Sequence, residues 1–407
     1  MFCIKPVSQV VNECKAIIKQ KNKSRAVKIE NALGAVLAED IISIEDMPSF
    51  ARSTVDGYAV KAEDTFGSSE NMPSFLEVTN EILMGKEAKE PLDFGKAQKI
   101  ATGGMLPPGS DAVVMQEYTE NIDSMLSIYK AVSPGENVIK AGEDIQQEQV
   151  IFTKGHKLRA QDIGILAAMG ITLVNIIESI TVAVLSTGDE LVDPNTKVLK
   201  QGQVRDTNGY SVTAFLRKNN YLADYVGICI DDYKLLHDRV HELYLEYDVV
   251  IISGGSSVGA KDVTSDIIQT LPEAQLLVHG IAIKPGKPTI IATSKNKLVI
   301  GLPGHPVSAL VVMQHVISPI IASMQGAKPP AFEPTIRAYV KQNIDSQTGR
   351  TDIIRVRCST DGDKIIAEPL LSKAGVFSSL VKADGYIIIS ESVEGITKDS
   401  EVNVHLY

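Results

Sequence analysis

The chain has 407 residues, 44% of them hydrophobic and 22% charged, with a formal net charge of −10. That length predicts about two to four domains of globular type, and the negative balance disfavours broad binding to nucleic acid or an acidic membrane. Cys3, Cys14, Cys229 and Cys358 are far apart and form no Cys-x-x-Cys pair, which argues against a zinc ribbon or disulfide framework and fits a reducing cytoplasm.

The opening stretch MFCIKPVSQVVNECKAIIKQ spreads charge along its length and lacks an unbroken apolar core, which argues against a signal peptide. Helical spacing of apolar residues predicts helices over 6–19 and 161–170, in a helical linker domain assembled from residues 1–45 and 142–178. Residues 46–141 hold short β-like runs and many turn residues, including RSTVDGYAV and TGGMLPPGSDAVV, and predict a β-rich domain.

From 179 to 327 the pattern alternates. Strands are expected at 180–185, 223–230, 248–252, 276–283, 288–292 and 298–300, and helices at 210–218, 233–247, 263–271 and after Pro306. This order predicts a doubly wound, mostly parallel α/β sheet. The apolar run 309–324 is interrupted by Gln314, His315 and Pro319, which makes it too polar for an expected membrane span. After Lys328-Pro329-Pro330, alternating stretches such as TIRAYV predict a C-terminal β-barrel or sandwich over 328–407.

In such sheets ligands bind beyond the carboxyl ends of the strands, and the loops there are rich. They are STGDEL (186–191), Asp231-Asp232, SGGSSVGAKD (253–262), KPGKP (284–288) and GLPGHPVSA (301–309). Any one could be an ordinary connection, but glycine with a charge or hydroxyl after nearly every strand favours a shared site. Lys284 and Lys287 bracket Pro285-Gly286 and can converge on a phosphate or tetrahedral oxyanion, with Ser257, Ser308 and a helix start after Pro306 as further donors. Glu190, Asp231 and Asp262 would repel a phosphate unless Mg²⁺ is shared between carboxylate and phosphate oxygens. Each acid could instead cap a helix, Asp262 before Val263 in particular. His237 and His241 have the spacing of a zincin helix without its glutamate, and read as a solvated helix face.

STGDEL, GQVRDTN (202–208), SGGSSVG-x-x-D, KPGKP and GLPGHPVSA, with DGYAV, the TGG loop and GED (142–144), resemble the molybdopterin molybdenumtransferase family over nearly the whole chain. Bacterial MoeA and the C-terminal domain of gephyrin are members of it. The resemblance implies that adenylylated molybdopterin binds, that molybdate enters its dithiolene, and that AMP is released with the help of Mg²⁺. It implies that Glu190 and Asp262 serve the metal and the cleavage step, with Asp231 close by. Ser186, Gly188, Gly254, Gly255, Ser256, Gly259, Pro303, Gly304 and Thr102 would hold the pterin substrate. The molybdate pocket would comprise Ser257, Lys284, Lys287, Pro288, Ser308, Arg350 and Ser378 or Ser379.

The resemblance further implies a homodimer in which Asp56, Thr102 and Asp144 act in trans, and contacts with molybdopterin adenylyltransferase and molybdoenzyme maturation proteins. Three positions depart from the family pattern: Thr54-Val55 in place of Ala-Met, Ala260 in place of an acid, and His305 in place of asparagine. The competing readings are the adenylyltransferase itself, which shares the α/β domain but is compact, and a gephyrin-like scaffold.

Overall fold

The computed structural model describes residues 4–254, 263–330, 332–371 and 375–407. They form two units, one running to Ala38 and including Gly155–Ala160 and Leu173–Tyr407, the other comprising Glu39–Lys154 and Gln161–Thr172.

The α/β domain of the larger unit contains β1 (Thr181–Thr187), α1 (Asn208–Lys218), β2 (Leu222–Cys229), α2 (Tyr233–Glu246), β3 (Val249–Ser253), α3 (Val263–Gln269), β4 (Gln275–His279), β5 (Ile290–Ser294), β6 (Lys297–Leu302) and α4 (Pro306–Val312). The strand order is β2-β1-β3-β6-β5-β4. The first four strands are parallel, whereas β5 and β4 run antiparallel to their neighbours.

Period-two alternation explains the unbroken apolar runs of β1 and β3, since a sheet covered on both faces needs apolar side chains at every position. Val182, Val184, Val249 and Ile251 enter the core shared with Val212, Leu216 and Val307. Ala183, Leu185, Val250 and Ile252 enter the opposite core with Leu236, Val240, Leu243 and Ile267. The sheet is therefore doubly wound, as the sequence predicts.

The expected strand at 276–283 is broken. β4 ends at His279, Gly280 follows at a φ of 99°, and Ile283–Lys284 leaves the sheet to pair in parallel with Thr351–Asp352. The run 306–324 is one helical stretch of 19 residues, long and apolar enough by composition to cross a bilayer, yet mostly buried inside the protein. It continues through a π turn at Met313–Ile317 into Ser318–Met324, and Pro319, which brings no amide donor, follows directly on that turn, where the regular bonding ladder is already interrupted. Val307, Ala309, Val312, Ile317 and Ile321 lie in the core, and the N-terminal helix Val7–Ile17 joins the same core through Val10, Val11 and Cys14.

At the C-terminus, strands Thr351–Asp361, Lys364–Pro369, Thr335–Val340, Glu401–Leu406 and Gly385–Ile389 pair in that order, and the last returns to the first. This closes a five-stranded barrel around Ala338, Val356, Ala367, Ile387 and Val404, deciding between barrel and sandwich. In the smaller unit a six-stranded sheet has the order Ala112–Met115, Gly57–Val60, Lys96–Ile100, Ser74–Ile82, Met125–Ile128, Thr119–Ile122. Short antiparallel ribbons join Ser24–Lys28 to Leu173–Ile177 and Ile41–Ile42 to Val150–Phe152. Cys14, Cys229 and Cys358 are free thiols.

Candidate functional site

The parallel register places Ser186 opposite Ser253, Ser253 opposite Leu302, and Thr187 opposite Cys229. The carboxyl ends of β1, β2, β3 and β6 therefore lie along one edge. The chain leaves β1 toward β2 on one side and reaches β3 on the other, so the strand order reverses between β1 and β3. A crevice at such a reversal is the usual ligand position in an open α/β sheet.

The floor of this crevice needs glycine. A Cβ on Gly254 would stand 2.0 Å from the carbonyl oxygen of Thr187, and Gly254 has a φ of +121°. Asn208, the first residue of α1, donates through Nδ2 to Ser253 Oγ and to the Gly304 carbonyl, both at 2.8 Å. It ties the end of β3 to the GLPG turn. Ser186 Oγ, Asp206 Oδ2 and Asn208 Oδ1 are buried atoms without hydrogen-bond partners among the described residues. Buried polar groups are rarely left so, and unsatisfied ones in a crevice are what a bound polar ligand would complete.

Acids gather at the same edge. Thr187 Oγ1 donates to Asp231 Oδ1 at 2.5 Å, and the Asp231 amide donates to Asp189 Oδ1 at 3.1 Å. Glu190 is exposed, and its carboxylate folds over Gly188, where a Cβ would come within 2.8 Å of Oε2. Asp232, grouped with Asp231 by sequence, serves the helix instead, since its Oδ1 accepts from the Leu235 amide and caps α2. Pro303 is buried, and Gly304 and His305 are exposed at the start of α4. His237 and His241 stack at 4.2 Å on α2, with His241 Nε2 2.9 Å from Thr270 Oγ1, on an exposed helix face.

The KPGKP turn packs beneath α4. A Cβ on Gly286 would lie 2.4 Å from Val312 Cγ2 and 3.6 Å from the Ser308 carbonyl, and the Gly286 carbonyl accepts from Thr289 Oγ1 at 2.7 Å. Lys284 Nζ lies 3.6 Å from Asp352 Oδ2, and Arg350 Nε donates to Asp352 Oδ1 at 2.8 Å. Lys284 and Arg350 are thus brought together around one wholly buried carboxylate. Lys287 is exposed and forms no ion pair among the described residues, Pro288 is half-buried beside it, and Ser308 is buried on α4. Near the C-terminal domain, Ser378 is exposed while the buried Ser379 turns its hydroxyl to the Val376 carbonyl at 2.7 Å. Of the two serines only Ser378 presents a hydroxyl outward.

In the smaller unit, Asp56 Oδ1 accepts from the Thr102 amide at 2.7 Å and from its hydroxyl at 3.0 Å. The backbone bond and then the hydroxyl bond hold the Asp56 carboxyl below its ordinary value. Asp144 is exposed in a turn whose amide donates to the Met47 carbonyl at 3.1 Å. Gly255, Ser256, Ser257, Gly259, Ala260 and Asp262 lie outside the described residues.

Residues 5–170 match the family described as "MoeA N-terminal region (domain I and II)", residues 183–323 that described as "probable molybdopterin binding domain", and residues 337–407 the "MoeA C-terminal region (domain IV)". A molybdopterin molybdenumtransferase of Haemophilus influenzae is 32% identical over 93% of this chain and 92% of its own. One from Staphylococcus epidermidis is 31% identical over 98% and 96%. The crystal structure of the molybdopterin biosynthesis moeA protein of Pyrococcus horikoshii superposes with a TM-score of 0.84 at 32% identity, covering 99% of this chain and all of that one. The chain belongs to the MoeA family. It is an enzyme of molybdenum cofactor biosynthesis, in the molybdopterin molybdenumtransferase class.

Within this MoeA-family chain, two site residues have no role assigned by sequence alone. Asn208 ends the GQVRDTN stretch, and the signal for it is an asparagine at a predicted helix start facing two glycine loops. Asp352 follows Arg350 by two residues, and strand alternation puts both on one face once the strand at Thr351 is recognised.

Proposed function

We propose that the carboxyl edge of β1, β3 and β6 binds adenylylated molybdopterin, that molybdate sits at Lys284, Lys287 and Arg350, and that its insertion into the dithiolene accompanies release of AMP. The observation that carries this reading is that α4 serves both places: it begins at the glycine turn bonded by Asn208 and covers the KPGKP turn with Val312. An anionic pterin phosphate and an oxyanion would thereby be held on either side of one short helix.

Gly254 and Gly304 let backbone approach the phosphate, and Ser186 and Asn208 lie buried at the same edge with polar atoms that bond nothing among the described residues. Lys284 and Arg350 offer cationic groups to the molybdate dianion, with Ser378 as an outward hydroxyl. Mg²⁺ fits the chemistry of the donor set. Asp189, Glu190 and Asp231 are hard carboxylates at one edge, and Mg²⁺ commonly takes one or two carboxylates and fills its shell with substrate phosphate and water. When bound, the ion supplies positive charge to the phosphate oxygens. Glu190 and Asp262 are the residues proposed to hold it.

The reading extends to a homodimer, with Asp56, Thr102 and Asp144 completing the site from the second subunit, and to a cytoplasmic setting compatible with the free thiols. The test is incubation of the purified protein with adenylylated molybdopterin and Mg²⁺, with and without molybdate. Molybdate-dependent AMP release is expected. ATP consumption with pyrophosphate release would move the chain to the adenylyltransferases, and no turnover under either condition would favour a scaffold.

A further inference from the structure

We propose that Asp352 is the positioning residue of the oxyanion seat, holding Lys284 and Arg350 at the separation a tetrahedral dianion requires. The proposal rests on the reading of that seat given above. Asp352 has no exposed surface, and it lies in register with Lys284 where the barrel strand Thr351–Asp361 meets Ile283–Lys284. One buried negative charge therefore stands between two cations supplied by different domains of the larger unit.

The two carboxylate oxygens are treated unequally. Oδ1 accepts a hydrogen bond from Arg350 Nε at 2.8 Å. Among the described residues Oδ2 is buried without a hydrogen bond, since Lys284 Nζ at 3.6 Å is an ion-pair partner beyond hydrogen-bond reach. A purely structural buried ion pair satisfies both oxygens and buries its cations, because an unsatisfied buried carboxylate is costly. Here the cationic side chains remain 30% and 53% exposed.

The donors left over are what an oxyanion needs. Held through Nε alone, the Arg350 guanidinium keeps both terminal nitrogens, which bond nothing among the described residues, and Lys284 Nζ makes no hydrogen bond there either. Asp352 cancels the repulsion that would separate the two cations, yet its single charge leaves one positive charge in excess for the dianion. In this scheme Asp352 acts through Arg350 and Lys284 and need not touch molybdate.

The experiment measures molybdate binding directly, by equilibrium dialysis with metal analysis, alongside the molybdate dependence of AMP release. Asp352→Asn keeps size and removes charge. It should raise the molybdate dissociation constant and the half-saturating molybdate by about tenfold or more, with kcat at saturating molybdate within about twofold of wild type. In an Arg350→Lys background, which retains charge but loses the Nε contact, Asp352→Asn should add little further. Unchanged binding, tighter binding, or an additive effect in the double variant overturns the proposal. If Asp352→Asn does not fold, Asp352→Glu, which keeps the charge but displaces it by one methylene, decides by the same rise or its absence. A wild type that binds molybdate but releases no AMP would refute the proposed reaction while leaving Asp352 to be judged by dialysis; no molybdate binding would refute both.

Discussion

Asn208 Nδ2 lies 2.8 Å from Ser253 Oγ, so a residue at the start of one helix fixes the end of the central strand. The same amide nitrogen reaches the Gly304 carbonyl at 2.8 Å. Asn208→Ala removes both bonds from a buried position. At about 1 kcal/mol for each hydrogen bond, it should cost about 2 kcal/mol in urea denaturation. AMP release should fall more steeply than that loss of stability implies, because both glycine turns lose their tie.

Gly254 and Gly304 make a controlled pair. Gly254→Ala would press a methyl group to within 2.0 Å of the Thr187 carbonyl, whereas the nearest atom to a methyl on Gly304 is 3.8 Å away. Gly254→Ala should abolish soluble, active protein or reduce AMP release at least about a hundredfold, a barrier change of roughly 3 kcal/mol. Gly304→Ala should melt at the wild-type temperature. Equal behaviour of the two variants would show that close approach of β3 to β1 does not shape the site.

His315 gives the fold a calculable response to acid. Burial, then the nearby His405, lowers its pKa from 6.5 to about 4. Between those values the unfolded chain binds the proton and the folded chain does not, so stability is full above pH 6.5 and falls as the pH drops toward 4. At ~1.4 kcal/mol per pH unit, His315 should remove about 2 kcal/mol between pH 7 and pH 5. His315→Gln should show a correspondingly smaller difference between urea midpoints at the two pH values. Parallel losses in both proteins would assign the acid sensitivity to other groups.

Sedimentation equilibrium should find a homodimer at micromolar concentration. The pair Asp56 and Thr102 is already hydrogen-bonded, so a variant that loses its acid, Asp56→Asn, should remain dimeric while releasing AMP slowly. An active monomer would show that one subunit holds the complete site.

The sequence made the parallel core legible because Val182–Leu185 and Val249–Ile252 carry no polar position, a pattern that only a sheet covered on both faces tolerates. The glycine loops were legible for the same reason: they follow those strands directly. Strand direction was not. Ile290–Ser294 is as buried as β3 yet antiparallel, and burial alone carries no sign of direction. Asp352 escaped notice because its importance arises only when Ile283–Lys284 leaves the sheet, a departure set by backbone pairing with a strand far along the chain. Ser379 was indistinguishable from Ser378 until its hydroxyl was seen turned to Val376.

The parallel pairing of Ile283–Lys284 with Thr351–Asp352 joins the KPGKP turn to the barrel through only two residues of strand. Oxyanion recognition would consequently draw on both pieces of chain, Lys284 and Lys287 from the α/β domain and Arg350 and Asp352 from the barrel. Substitutions confined to the barrel around Arg350 and Asp352 could retune which tetrahedral metal oxyanion is accepted, molybdate or tungstate, while the nucleotide-facing edge of the sheet stays unaltered. Exchanging barrels between relatives of different metal preference, with residues 179–327 held constant, should carry that preference along with the transplanted segment.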